Sequence, residues 1–419
     1  MADEPRRRRQ RLHELIDLAR GSHQWSRARL ARALGRDASR LYPDSASPKL
    51  DFLTSLAEVL GWPLSAVIEY VWRGFSGGET DGPASQPSGG DFDELLDATR
   101  EAFRHGRYRE TIMLARRLQA IARTPTERAM ALGKEANGLS CEGRVDDAIA
   151  VGRRLLAFAM RLPDDSLMFQ VNYADSLIDA EYHYPALGIA ERASLWYREH
   201  PAESLREHMI EAFSHYLRGR AFGRLIDIES ELRERNAVRA LEAMRISREM
   251  HLRIADIYGC RELKAIAATC RAGIVEAEVE LGRRDAEDAV AEIIASLPTT
   301  LDDPRFELGD WLESCGWWCV TGARLALRHL EGPAMSRALA ILNNKALEIA
   351  DRIDNWLFRQ HVLRIRYEAH CRMVERTGLR IDWLLDDEDM RLIVGVMGRS
   401  SQFRELGWRM LREAGRAAG

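Results

Sequence analysis

Paired cysteines, lysines, aromatic residues and long apolar runs are all scarce in this 419-residue sequence, and each scarcity excludes something. No stretch approaches the roughly 18 consecutive apolar residues of a membrane-crossing helix, so no membrane partner is expected. The start, Met1-Ala2-Asp3-Glu4-Pro5 and then Arg6 to Arg9, has no apolar segment behind its charges, which argues against a secretory signal and for a cytoplasmic protein. Cys141, Cys260, Cys270, Cys315, Cys319 and Cys371 include no CxxC pair, and in such a setting they read as reduced, small apolar residues. Only Cys315 and Cys319 share a helix face, and no His or Cys cluster stands beside them to complete a zinc site. Four lysines stand against 57 arginines, a bias that reflects base composition more than function.

Catalytic signatures are missing as well. The chain has no GxxxxGK[ST], no HExxH, no GxSxG and no Gly-rich strand-to-helix loop, so neither an enzyme nor a cofactor is implied. Glu368, His370 and Cys371 are neighbours in sequence, but successive helical residues point in different directions and read as core and surface positions. The acidic run Asp386-Asp387-Glu388-Asp389 reads as a solvated helix start, where negative charge is favourable.

What is present suits amphipathic helices: apolar residues make up 46% and charged ones 30%, too apolar for a disordered chain. The stretch Ser76 to Gly90 is almost free of apolar residues and rich in Gly, Ser and Pro, the composition of a flexible linker. It divides the chain into residues 1–75, a linker over 76–90, a long helical body over 91–387 and a C-terminal capping helix within 388–419. Residues 1–75 hold 13 basic against 9 acidic residues, a net of +4, and the rest carries a net of −8. A basic head on an acidic body is the balance of a nucleic-acid-binding module joined to a protein-binding one.

Beyond the linker, 3.6-residue periodicity runs to the C-terminus and strand signals are lacking. Glycine-centred turns recur: Ala102 to Tyr108 around Gly106, Leu139 to Val145 around Gly143, and a third unit with Ala186-Leu187-Gly188-Ile189-Ala190 after Tyr184-Pro185. Later units contain Glu278 to Arg283 around Gly282 and the helix from Ala338 to Ala350, and a final apolar helix runs from Trp356 towards Cys371. The pattern resembles the tetratricopeptide repeat, in which paired antiparallel helices stack so that each buries its neighbour's apolar face. The expected fold is therefore all-α, a small five-helix domain followed by an α-solenoid of helical hairpins.

Residues 10–73 divide into five short helical segments: Leu12 to Ala19, Arg27 to Leu34 with Ser26 as N-cap, Asp37 to Leu41, Leu50 to Leu60 and Leu64 to Trp72. Trp25-Ser26-Arg27-Ala28-Arg29-Leu30-Ala31-Arg32-Ala33-Leu34-Gly35, then Pro48 to Gly61 with Leu53, Leu56, Ala57 and Leu60, resembles the phage-repressor (XRE or Cro-type) helix-turn-helix. The resemblance implies a segment after Gly35 that enters the major groove of double-stranded DNA, and a preceding helix against the backbone. It places Arg27, Arg29 and Lys49 at phosphates, and Arg36, Ser39 and Arg40 at bases or backbone. The Arg6 to Arg9 run reads as an arm for phosphates or the minor groove, or as a basic tail. Residues 36–47 are shorter than the family usually carries and include Asp37 and Asp44. That departure keeps a second reading open, a repeat scaffold whose small domain serves protein assembly.

In tetratricopeptide arrays the first helix of each hairpin lines a groove for partners. By position Arg100, Arg104, Asn137, Ser140, Asp175 and Asp179 belong to that lining, with Asn172 one row away. Asparagine bonds both N–H and C=O of an extended backbone, which makes Asn137 the natural peptide contact. The order of domains resembles peptide-responsive bacterial regulators, and implies a homodimeric transcriptional regulator with a peptide or protein in its groove.

Overall fold

The computed structural model describes residues 4–44, 47–72, 91–159, 166–260, 262–298, 301, 309–378 and 382–416; the linker expected over 76–90 lies outside them. Among the described residues the chain is all-α apart from one short strand pair; its helices pack pairwise in sequence as in a helical repeat array, and it separates into two compact units. Met1–Ser85 with His370–Gly419 form one, and Gln86–Ala369 the other.

The first unit begins with α1 (Glu4–Ser22), where Leu12, Leu15, Ile16 and Ala19 are fully buried in the i, i+3, i+4, i+7 stripe of a helix packed on one side. The Arg6 to Arg9 run forms its early turns. Ser26 caps α2 (Arg27–Ala33), its hydroxyl accepting from the Arg29 amide at 3.2 Å. Gly35, in the left-handed region, then releases the chain into a single 3-10 turn, Ala38–Arg40. Two helices follow, α3 (Leu50–Leu60) and α4 (Leu64–Trp72), separated by left-handed Gly61.

Among the described residues of the second unit the helices form six hairpins. They pair α5 (Phe92–Arg104) with α6 (Tyr108–Ile121), α7 (Pro125–Cys141) with α8 (Val145–Ala159), and α9 (Ser166–Asp179) with α10 (His183–Glu199). The longer fourth pairs α11 (Leu205–Ile228) with α12 (Arg233–Tyr258); α13 (Leu263–Glu280) with α14 (Ala286–Ser296), and α15 (Gly309–His329) with α16 (Gly332–Arg352), complete the set. Capping boxes start α7 and α11: Thr124 with Glu127, and Ser204 with Glu207, each satisfy two amide donors that the helix leaves free.

Gly106, Gly143 and Gly282 turn their hairpins in the left-handed region. In the third hairpin that position is held by Glu181, at φ 62°, while Gly188 lies inside α10 and is no turn residue. The carboxylate of Glu181 pairs with Arg364 at 3.1 Å. Gly143→Ala is expected to destabilise by about 1–3 kcal/mol, because φ is 69° and an added Cβ would lie 2.9 Å from Cβ of Trp356. Gly188→Ala, in open space on a helix, should stabilise by up to about 1 kcal/mol. Urea unfolding midpoints check both, and equal midpoints for the two variants would remove the distinction.

This array doubles back on itself. A Cβ on Gly309, at the start of α15, would lie 2.6 Å from the backbone nitrogen of Gly106, and one on Gly106 would lie 2.7 Å from Cβ of Ile353. The last helix, α17 (Trp356–Thr377), begins against Gly143 and sends Arg364 to Glu181, so it passes the tips of the second and third hairpins. On its other side Phe358 packs on Gly316 and stands edge-on to Trp317 of α15. No residue from 356 to 367 is exposed. The sequence reads α17 as one more amphipathic helix; its burial on every side is what distinguishes it.

From His370 onward α17 belongs to the first unit, as do β1 (Trp383–Leu385), α18 (Asp387–Arg399), α19 (Ser401–Glu413) and β2 (Ala414–Arg416), which pairs parallel to β1. The described part of 388–419, the segment expected to cap the repeats, thus belongs to the same unit as the N-terminal helices. The apolar side of α18 meets α1, α3 and α4, and the Trp62 indole donates to the Val394 carbonyl at 2.7 Å with its ring against Gly398. Amphipathicity announces a buried face without naming the partner that covers it.

Candidate functional site

Two groups of polar residues stand out, one in each unit. In the first unit, Arg27, Arg29, Arg32, Arg40 and Lys49 are exposed, and Arg36 is half-buried. Their side chains are not equally available. Arg27 donates through Nε to the Ala38 carbonyl at 2.8 Å and lies 5.5 Å from the Tyr42 ring centre, so it fastens the 3-10 turn to α2. Arg29 stacks on Trp25 at 4.9 Å, and Arg36 on Phe52 at 4.5 Å. The hydroxyl of Ser39 donates to Asp37 at 2.5 Å, and Asp37 also accepts the Ser39 amide at 2.8 Å. These bonds hold the Asp37 carboxyl below its ordinary range. Where the helix-turn-helix resemblance implies a helix after Gly35, the chain makes one turn of three residues. Asp37 caps that turn, and Pro43, with no N–H to give, follows it closely.

In the second unit the residues expected to line a groove have separate fates. Arg100 pairs with Asp97 of its own helix at 2.8 Å, while Arg104 reaches Glu262, at the start of α13, at 2.9 Å. Asn137 and Asn172 are half-buried; Ser140 is buried, its hydroxyl without a hydrogen-bond partner among the described residues. Asp175 and Asp179, one turn apart on α9, converge on Arg220 of α11, which donates to Asp175 and, at 2.7 Å, to Asp179. The Arg220 guanidinium also lies 5.1 Å from the Trp317 ring centre and 5.5 Å from that of Tyr216.

Around this bridge runs an internal chain of charges. Burial, opposed by Arg220 and aided by Asp179, pushes the Asp175 carboxyl up to about 6. Burial and the neighbouring carboxylates of Asp310, Asp175 and Asp179 push Glu313 up to about 8, where it accepts from the Tyr108 hydroxyl at 3.3 Å. Glu276 of α13 accepts from Arg324 at 2.8 and 2.9 Å and from Arg328 at 2.5 Å, and burial carries it to about 7. Arg328 further pairs with Asp227 and Glu280. Lys134 is driven down to about 8 by burial and by the positive charges of Arg100 and Arg104. Carboxylates and guanidiniums taken from water in this way require partners. Here the partners come from helices distant in sequence, which fastens α9, α11, α13 and α15 to one another.

Sequence reasoning missed Arg220, Arg224, Glu276, Glu313 and Arg324. A signal was present: Gly219 and Gly223, four residues apart and each followed by an arginine, Arg220 and Arg224, mark a face where a neighbouring helix can come close. Among the described residues no group of three His, Cys, Asp or Glu is placed to hold a metal ion, and the six cysteines are free thiols. No single described helix is long and apolar enough to cross a membrane. Compared with known proteins, the chain matches no family model, and no curated protein shows significant similarity to it.

Proposed function

We propose that the protein is a non-enzymatic, homodimeric DNA-binding regulator: an XRE-like helix-turn-helix binds double-stranded DNA, and tetratricopeptide-like repeats receive a peptide or protein partner. The supporting observation is the set of exposed cations: Arg27, Arg29 and Arg32 on the Ser26-capped α2, Arg40 in the 3-10 turn and Lys49 just before α3. Because Arg27 and Ser39 are engaged within the turn, contact with phosphates is favoured over reading of bases, and the expected complex is salt-sensitive with modest sequence preference.

The experiment is selection from genomic DNA by the purified full chain, followed by salt titration of an enriched fragment. Arg40→Ala and Lys49→Ala should each weaken binding on every sequence and flatten the logarithmic salt slope by about 1. Absence of DNA binding even at low salt would sink this reading. A second reading, a scaffold in which the small domain serves protein assembly, is favoured by the reduction of the expected recognition helix to one 3-10 turn. It predicts two variants indistinguishable from wild type on DNA.

A further inference from the structure

The four lysines of the chain stand in different surroundings. Lys264 pairs with Asp256 at 3.0 Å, Lys345 pairs with Glu348 at 2.6 Å, and Lys49 is exposed. Lys134, on α7 of the second unit, is half-buried, and no described residue gives its ammonium a hydrogen bond or an ion pair. Its nitrogen lies 6.0 Å from the ring centre of Phe103 on α5. The charges that act on it are Arg100 and Arg104, also on α5, and Asp310 of α15, which opposes them.

An ammonium partly withdrawn from water beside two guanidiniums is held towards its neutral form, and Lys134 is brought down to about 8. Desolvation next to other cations is the ordinary way in which a lysine becomes a nucleophile. The same guanidiniums offer recognition. Arg100 gives one terminal nitrogen to Asp97 and Arg104 gives one to Glu262, and each side chain is still 43% exposed, so both forks reach solvent. A guanidinium fork matches the oxygens of a phosphate. We propose that Lys134 is a modification site that takes the acyl group of a small acyl phosphate, with Arg100 and Arg104 holding the phosphate. The neutral amine attacks the carbonyl carbon, a C–N bond forms and the C–O bond to phosphorus-bound oxygen breaks. Phosphate leaves with that electron pair and takes up the amine's proton, so that an uncharged amide remains. The product removes one positive charge from the face formed by Arg100, Arg104 and Lys134. The inference stands on the repeat unit alone and holds whether or not the first unit contacts DNA.

The test uses the full chain with acetyl phosphate as probe and acetic anhydride, which has no phosphate, as comparison. Peptide mass spectrometry reads the acylation rate at each lysine. With acetyl phosphate near pH 7.5, Lys134 is expected to react about tenfold faster than Lys49. Its rate should level off above about pH 8, where that of Lys49 is still rising. The preference for Lys134 over Lys49 should be at least about threefold smaller with the anhydride. Arg100→Gln, a change at an exposed pair within one helix, should slow the acetyl phosphate reaction at Lys134. Lys134 reacting no faster than Lys49 overturns the site. An equal preference with both reagents, or an Arg100→Gln protein that reacts as wild type with acetyl phosphate, overturns the phosphate contact.

Discussion

Replacing Arg220 by methionine is expected to lower stability by about 3–5 kcal/mol, the range found when one member of a buried charge cluster is removed. The substitution keeps an apolar stem beside Tyr216 and Trp317 but leaves Asp175 and Asp179 facing each other without a counter-charge. The loss should depend on pH with a definite sign. Asp175 already has a folded-state pKa near 6, above its ordinary value, so the stability it contributes is complete in acid and declines as pH rises through 6. Without Arg220 the Asp175 carboxyl rises further, so the variant should be hurt more at pH 8 than at pH 5. The triple change with Asp175→Asn and Asp179→Asn should recover most of the loss. Urea unfolding of the three proteins at both pH values checks this; an Arg220→Met protein as stable as wild type at pH 8 would mean that the bridge contributes nothing.

Phe358→Ala is expected to cost a similar amount, about 3–5 kcal/mol, for another reason. The ring is fully buried against Gly316 and Trp317, in a core that also contains Val362, Ile365, Leu342 and Ile349. Its removal leaves a cavity that Gly316 has no side chain to refill. Since Phe358 is the seat of α17 on α15, amide exchange should accelerate along residues 356–367 before it does in α15. Uniform acceleration through the whole second unit would show that α17 has no separate opening.

Much of this architecture is legible in the sequence. Proline at 48 and glycine at 61 bracket Leu50–Leu60 so closely that pattern and structure give the same helix, and Leu64–Trp72 follows the same logic. The segment after Gly35 is read less well, because Asp37 as a cap and Pro43 as a stop act together over too few residues for an α-turn to form. In the third hairpin a glycine search finds Gly188, although the chain turns at Glu181, whose carboxylate is tied to Arg364. The interior site is hidden for a deeper reason. Asp175 and Asp179 announce themselves as an acidic pair, but whether they face a partner or water depends on Arg220, which arrives two helices later. Periodicity assigns a residue to a face; which other face it meets is a property of the stacked array.

The doubling back of the second unit also bears on how the chain is made. An open solenoid folds as it emerges, each hairpin settling on the one before. Here the tips at Gly106 and Gly143 are met by Ile353 and Trp356, from the far end of the unit. At a synthesis rate of roughly 5–20 residues per second, the first hairpins wait some tens of seconds for those contacts. Such long-range closure slows the final folding step. The nascent chain, with Asp175, Asp179 and Arg220 already made and its turns still uncovered, therefore exposes surface that only the finished unit buries.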